Sequence, residues 1–161
     1  QPCSSAASDV YKRQSFDTDM VGPYGYCADI SRTFVCGNDF NNTQKELYSM
    51  SLEQINHNSN LIKADMSFKE FTEKSWKLPE EYYGNRYSVM VHGIGLCDEW
   101  PSIRYPTDGG DKSGRFQKNM TITVESYIGK VGGKEGVKLE QQYLVGENGL
   151  ELMSHHPLEN I

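Results

Sequence analysis

The sequence predicts an α+β domain, an antiparallel sheet with covering helices, and three observations carry that prediction. Two strand-like runs, 16–21 and 24–36, meet at Gly22-Pro23-Tyr24-Gly25 and read as an opening β-hairpin. Helical spacing of apolar residues then fills the stretch from Thr43 to the residues before Pro79. A buried strand-like run follows from Arg86 to His92, and period-two alternation returns from Met120. A chain of 161 residues is long enough for one domain with a sizeable core.

The elements follow in order. Thr43 with Glu46 three residues on reads as a capping box that opens a helix reaching about Met66. Leu47, Met50, Ile55 and Leu61 mark its apolar face. Ser67 with Glu70 is a second capping box, opening a shorter helix lined by Phe68, Phe71 and Trp76. His57 sits among Asn and Ser and reads as a surface histidine, not a ligand. Tyr82 to Asn85 is a turn, and Arg86 to His92 a buried strand. The glycines flanking Ile94 permit close backbone approach, and Ser102 to Lys118 is a long loop of the kind that borders a site. Met120 to Ile128 alternates as a strand, with Thr121, Thr123, Glu125 and Tyr127 on one face. After a glycine-rich turn, Val137 to Val145 follows, with Lys138, Glu140 and Gln142 sharing a face. Glu147-Asn148-Gly149 turns the chain into Leu150 to Met153.

Composition excludes several roles. The net charge is −6 and no Lys/Arg block exists to neutralise phosphates, which argues against nucleic acid. No apolar run approaches membrane-spanning length. Cys3, Cys27, Cys36 and Cys97 form no regular framework and read as reduced thiols of a cytoplasmic protein. Residues 1–14 are polar and aperiodic. They look like an in-frame translation of a sequencing adapter, so 1–14 is expected to be non-native and 15–161 to be the genuine chain.

Chemistry concentrates in the hairpin. Asp17 and Asp19 sit two apart, so on a strand both face one side, and Asp29 follows on the partner strand. With no lysine nearby, converging carboxylates repel, and a divalent metal is the natural partner; the plainer alternative is turn and strand-end charges. Further along, His92, Glu125 and Glu140 add an imidazole and two carboxylates from strands. Hard oxygen donors with one imidazole and no thiolate suit Mn, Fe or Co, and Zn less specifically.

The order Asp–Asp–His–Glu–Glu, carried by GYCADISRTF, VHGIGL, TVESY and GVKLEQQYLV, resembles the creatinase/Xaa-Pro aminopeptidase/methionine aminopeptidase superfamily from about Phe16 to Met153. The resemblance implies the C-terminal part of a pita-bread catalytic domain, with a curved antiparallel sheet, and a dimer when full length. It also implies that parts preceding Ser15 are missing, so that the fragment alone is expected to be inactive. Two features depart from the proline-specific peptidases of this fold. Those carry a leading aspartate at a spacing between the ten and twelve residues at which Asp19 and Asp17 precede Asp29. They also carry a histidine where Cys97-Asp98-Glu99-Trp100-Pro101 has Asp98. Both departures look like the DddP-type dimethylsulfoniopropionate lyases.

That resemblance implies that Asp17, Asp19, Asp29, His92, Glu125 and Glu140 bind two divalent ions, iron being favoured, and that Asp98 is the general base. Tyr87, Trp100 and Tyr105 then offer aromatic faces to a sulfonium cation, each with ordinary packing as its alternative. Glu99 stands behind Asp98 as a second candidate base. The expected reaction is β-elimination on a small zwitterion. The competing readings are a dinuclear-metal Xaa-Pro peptidase and a binding module without turnover.

Overall fold

The computed structural model describes residues 13–37, 39–110 and 112–158. Its strands pair antiparallel throughout, and the sheet and helices together form the α+β arrangement that the sequence predicts.

The opening hairpin is broken in the middle. β1 (Arg13–Asp17) pairs with β4 (Ser31–Val35), and β2 (Met20–Val21) pairs with β3 (Cys27–Ala28). The alternation alone predicts two continuous strands. The interruption comes from Thr18, whose hydroxyl accepts from the Ile30 N–H at 3.0 Å and donates to its carbonyl at 3.2 Å. One side chain thus replaces a backbone rung. Asp19 beside it takes a left-handed backbone (φ 23°), so it no longer alternates regularly with Asp17 as strand residues would. Arg13 and Gln14, expected to be foreign, continue β1, and Arg13 Nε donates to Glu135 Oε2 at 2.6 Å. Residues 1–12 lie outside the described residues.

Helix α1 (Asn42–Leu61) starts earlier than the Thr43–Glu46 pair suggests. Asn41 is the cap: its Oδ1 accepts from the Gln44 N–H at 2.9 Å, and Gln44 Oε1 accepts from the Asn41 N–H at 3.0 Å. Asparagine caps as well as serine or threonine, and here it wins the position. The helix stops at Leu61, short of Met66, and Asp65 then takes a left-handed turn. Ser67 caps α2 (Phe68–Lys74) as expected, accepting from the Glu70 N–H at 3.1 Å. A one-turn helix, α3 (Glu80–Tyr83), occupies part of the predicted turn.

The main sheet has the order β6-β5-β7-β8-β9, with β5 Val89–Gly93, β6 Ser102–Arg104, β7 Thr121–Gly129, β8 Gly136–Val145 and β9 Leu150–Leu152. β6 lies inside the stretch that reads as loop. Three residues are too few to show periodicity.

The two faces of β7 part company chemically. Ile122, Val124 and Ile128 join Val137 and Leu139 of β8 in a core shared with Leu47, Tyr48 and Ile55 of α1. Ser126 also faces α1, where its hydroxyl donates to Gln54 Oε1 at 2.6 Å. Gln54 donates in turn to the Tyr105 hydroxyl at 2.5 Å. Tyr105 is therefore a buried packing residue, which removes it from the aromatic candidates. Phe116 packs edge-on against Phe68 and Phe71 at 4.9 and 5.7 Å between ring centroids, closing the end of this core.

The opposite face carries Thr123 and Glu125, with Gln142 and Glu140 directly across on β8 and His92 across on β5. β4 lies beside the first half of β8, fastened by Thr33. Its hydroxyl donates to the Lys138 carbonyl at 2.9 Å and accepts from the Lys138 N–H at 3.0 Å. This fastening sets the hairpin against the polar face of the sheet.

Candidate metal centre

Gly93 shapes the first approach to the site. The loop after β5 returns so closely that a Cβ at Gly93 would lie 2.0 Å from the Trp100 carbonyl oxygen. Only glycine fits. The Gly93 N–H donates to the Pro101 carbonyl at 2.9 Å, and His92 immediately before it is held at the sheet's centre. His92 Nδ1 lies 3.0 Å from the Gly93 carbonyl. A proton on Nδ1 makes that bond and leaves Nε2 facing the carboxylates, the orientation that a ligating histidine needs.

Nε2 lies 3.1 Å from Glu140 Oε1 and 3.8 Å from both Asp29 Oδ2 and Glu125 Oε1. All four side chains are buried. Donor atoms of Asp29, His92 and Glu140 fall within 4.8 Å of one another, and so do those of Asp17, Asp19 and Asp29. Asp29 belongs to both groups and so stands where two adjacent positions would share a ligand. The six residues singled out in the sequence thus come together. The break in the hairpin makes this possible, since it places Asp29 in the gap between β3 and β4 and Asp17 at the end of β1.

Two further residues belong to the cluster; both lie within the quoted motifs, but the sequence does not single them out as part of a site. Lys138 reaches in from β8, with Nζ against Asp17 Oδ2, 3.6 Å from Glu125 Oε2 and 3.8 Å from Glu140 Oε2. Along the chain no lysine stands near the three aspartates. The available signal is its place two residues before Glu140, which puts both on one face. Ser31 is the other. Its hydroxyl lies 2.6 Å from Asp17 Oδ1 and 2.8 Å from Glu140 Oε2, so its single proton is shared between hairpin and sheet.

The electrostatics are those of a crowded acidic pocket. Burial, then the charge of Glu140, pushes Asp29 up to about 8. Burial and the same neighbour raise Glu125 well above the usual carboxylate range. Burial opposes charge on His92, but the hydrogen bond to Glu140 and the charge of Glu125 outweigh it and raise the imidazole to about 10. Burial likewise opposes charge on Lys138; Glu125 and Asp17 overcome it, and the ammonium is held more firmly than usual. Asp17 moves the other way: Lys138 and Ser31 together overcome its burial and lower it.

A divalent cation fits this donor set. Asp29 Oδ1, Glu125 Oε1 and Thr123 Oγ1 are buried without a hydrogen-bond partner among the described residues. Orphaned oxygens of this kind are costly to bury, and a cation held in either group of donors that Asp29 joins would sit beside this carboxylate.

The remaining candidates stand further out. Tyr87 is exposed, its ring centroid 5.0 Å from Lys138 Nζ. Burial first, then the charges of Glu125 and Glu99, raises its hydroxyl to about 12, which places it at the rim of the acidic pocket. Asp98 is exposed on the loop between β5 and β6. Its Oδ1 accepts from the Glu99 N–H at 3.0 Å, and it makes no hydrogen bond or ion pair with the six clustered residues. Trp100 is exposed on the same loop. His57 is exposed, as expected. Cys27, Cys36 and Cys97 are free thiols.

Comparison with known proteins agrees with this geometry. The description "Metallopeptidase family M24" matches residues 5–147. The chain is 37% identical over 149 residues to the dimethylsulfoniopropionate lyase DddP of Roseovarius nubinhibens, covering 90% of this chain and 33% of that protein. It is 36% identical over 163 residues to the DddP of Roseobacter denitrificans, covering 99% of this chain and 36% of that protein. The chain thus spans about a third of the length of these relatives. Among solved structures, the prolidase from Pyrococcus furiosus superposes with a TM-score of 0.73 at 27% identity, over 89% of this chain and 42% of that one. That fold is the pita-bread arrangement implied by the sequence motifs. With its fold and clustered acidic residues, and with the family description matched over most of its length, the chain belongs to metallopeptidase family M24.

Proposed function

We propose that the chain supplies the metal-binding portion of a lyase that cleaves dimethylsulfoniopropionate to dimethyl sulfide and acrylate. The observation that carries this reading is the grouping of Asp17 and Asp19 with Asp29. The doubled aspartate is the feature that sets the sequence apart from peptidases. The similarity to the two DddP enzymes supports the same substrate. Iron is the proposed metal, since oxygen donors with one imidazole suit it.

The substrate carries a carboxylate and a sulfonium. A base removes the proton next to the carboxylate. The C–H electron pair becomes the new C=C bond, and the C–S pair leaves with sulfur as neutral dimethyl sulfide. When bound, divalent ions supply positive charge that stabilises the carbanionic charge developing beside the carboxylate. Asp98 is the proposed base: an exposed carboxylate on the loop that leaves His92 and passes Trp100, free of the acidic pocket's own ion pairs. The acidic pocket and Trp100 favour the cationic end of the substrate over a neutral one.

A peptidase reading rests on the likeness to the Pyrococcus furiosus prolidase. Asp98 argues against it, because a carboxylate there suits proton abstraction better than steadying a leaving amine. In the full-length protein, Asp98→Asn is expected to lower lyase turnover by about 10²- to 10⁴-fold while metal content stays constant. Turnover retained by the variant would remove Asp98 from the base role.

A further inference from the structure

Arginines in this fold are generally satisfied. Arg13 reaches Glu135, Arg86 pairs with Asp108, Arg32 donates to a group of carbonyls, and Arg115 donates to the Asp65 carbonyl at 2.8 Å. Arg104 is different. At the end of β6 and half-buried, it donates from Nε to Ser102 Oγ at 3.2 Å. Its Nη1 and Nη2 make no hydrogen bond or ion pair among the described residues. Those two nitrogens form the fork that takes a carboxylate in a bidentate pair.

Arg104 lines a shallow, open groove. Trp100, Ser102, Arg104, Gly110 and Ser113 line a cleft of about 520 Å³. Gly110 keeps it open: it takes a left-handed backbone (φ 86°), and a Cβ there would meet the Ser102 carbonyl at 2.9 Å and Arg104 Cγ at 3.0 Å. The groove is on the active face of the sheet, because Ser102 stands directly across from His92 and paired residues share a face. The bond from Arg104 to Ser102 folds the guanidinium back along that face.

Charge gives this arginine its importance. Without metal, an anionic group approaching the pocket meets Asp17, Asp19, Asp29, Glu125 and Glu140, and the cationic side chains there, Lys138 and His92, are already taken up by these carboxylates. Among the described residues, Arg104 is the uncommitted cation on this face. Trp100, 63% exposed, borders the same groove with an indole face that suits a soft cation. A guanidinium and an indole in one cleft match a small zwitterion with a carboxylate at one end and an onium group at the other.

We propose that Arg104 is a specificity-determining residue that anchors the substrate carboxylate in this groove, leaving the sulfonium end against Trp100. The assignment of the sulfonium rests on the lyase reading; the carboxylate subsite does not. In the full-length protein, Arg104→Gln should raise KM for dimethylsulfoniopropionate about tenfold to a hundredfold, the worth of a charged hydrogen-bond pair, with kcat changed far less. Arg104→Lys should recover part of the loss. An unchanged KM in Arg104→Gln would overturn the proposal while leaving the lyase reading intact. A second arm needs no turnover. Acrylate titrated into metal-free protein should shift the Trp100 indole resonance in the wild type, and the shift should vanish in Arg104→Gln. An equal response in both would also overturn it. Arg104-dependent acrylate binding in a wild type without lyase activity would sink the lyase reading and keep the carboxylate subsite.

Discussion

Asp29 concentrates the chemistry of this site into one side chain. It is buried, shared by both groups of donor atoms, and left with an unpartnered oxygen. With Asp29 raised to about 8 and His92 to about 10, both hold protons at neutral pH when no metal is bound. Ligation requires both to be deprotonated, so metal binding must release protons and strengthen as pH rises. Calorimetry at pH 7 in buffers of different ionisation enthalpy should show net proton release; heats independent of buffer would contradict it. Lys138 is the counterpart. Replacing it with Met leaves three carboxylates without their ammonium, and the metal-free protein should lose about 1–3 kcal/mol, the lower end reflecting the partly exposed Asp17. Added divalent metal should restore most of the loss in a denaturant melt. At this scale the six candidate ligands are legible because their order and the motifs around them resemble a known family, each residue alone being ordinary. Lys138 and Ser31 are not, because a strand lysine and a serine are ordinary until their partners are known.

The elements show where local chemistry overrides pattern. The opening hairpin has strand periodicity, but Thr18 substitutes for a rung and divides it in two. Thr18→Val removes both bonds while preserving shape. It should weaken metal binding by loosening Asp29, at a cost of about 1–2 kcal/mol in stability, with the far-UV spectrum retained. The start of α1 gives a sharper test of register. Asn41→Ala should cost about 1 kcal/mol and Thr43→Ala little, since the side chain that accepts from the Gln44 N–H is that of Asn41. Equal losses in thermal melts would return the cap to Thr43. β7 and β8 are legible almost to the residue, because nine paired positions give a long run in which apolar and polar residue types largely alternate. β6 is not, although it carries Arg104, because a three-residue edge strand has no period to read.

On the scale of the whole molecule, the sheet divides the chain into an apolar side under α1 and an acidic side under the hairpin. That division has a pH signature. Burial and the charge of Glu140 push Asp29 from the ordinary carboxylate range up to about 8 in the fold, so its contribution to stability is complete below that ordinary range and is lost as pH rises to about 8. Glu125 and His92, both raised, act in the same direction. The metal-free protein should therefore melt at lower temperature at pH 8 than at pH 5, and saturating divalent metal should reverse that order. The fold class is legible because helices and strands fall in separate blocks of the sequence. The proposed choice between two related chemistries rests on Asp17, Asp19 and Asp98, three residues whose meaning depends on where the rest of the chain places them. The most direct measurement is product analysis on the metal-loaded full-length protein given dimethylsulfoniopropionate and Xaa-Pro dipeptides in parallel. Equimolar dimethyl sulfide and acrylate, abolished by chelation and without released proline, is the predicted result; proline release without dimethyl sulfide would contradict the account.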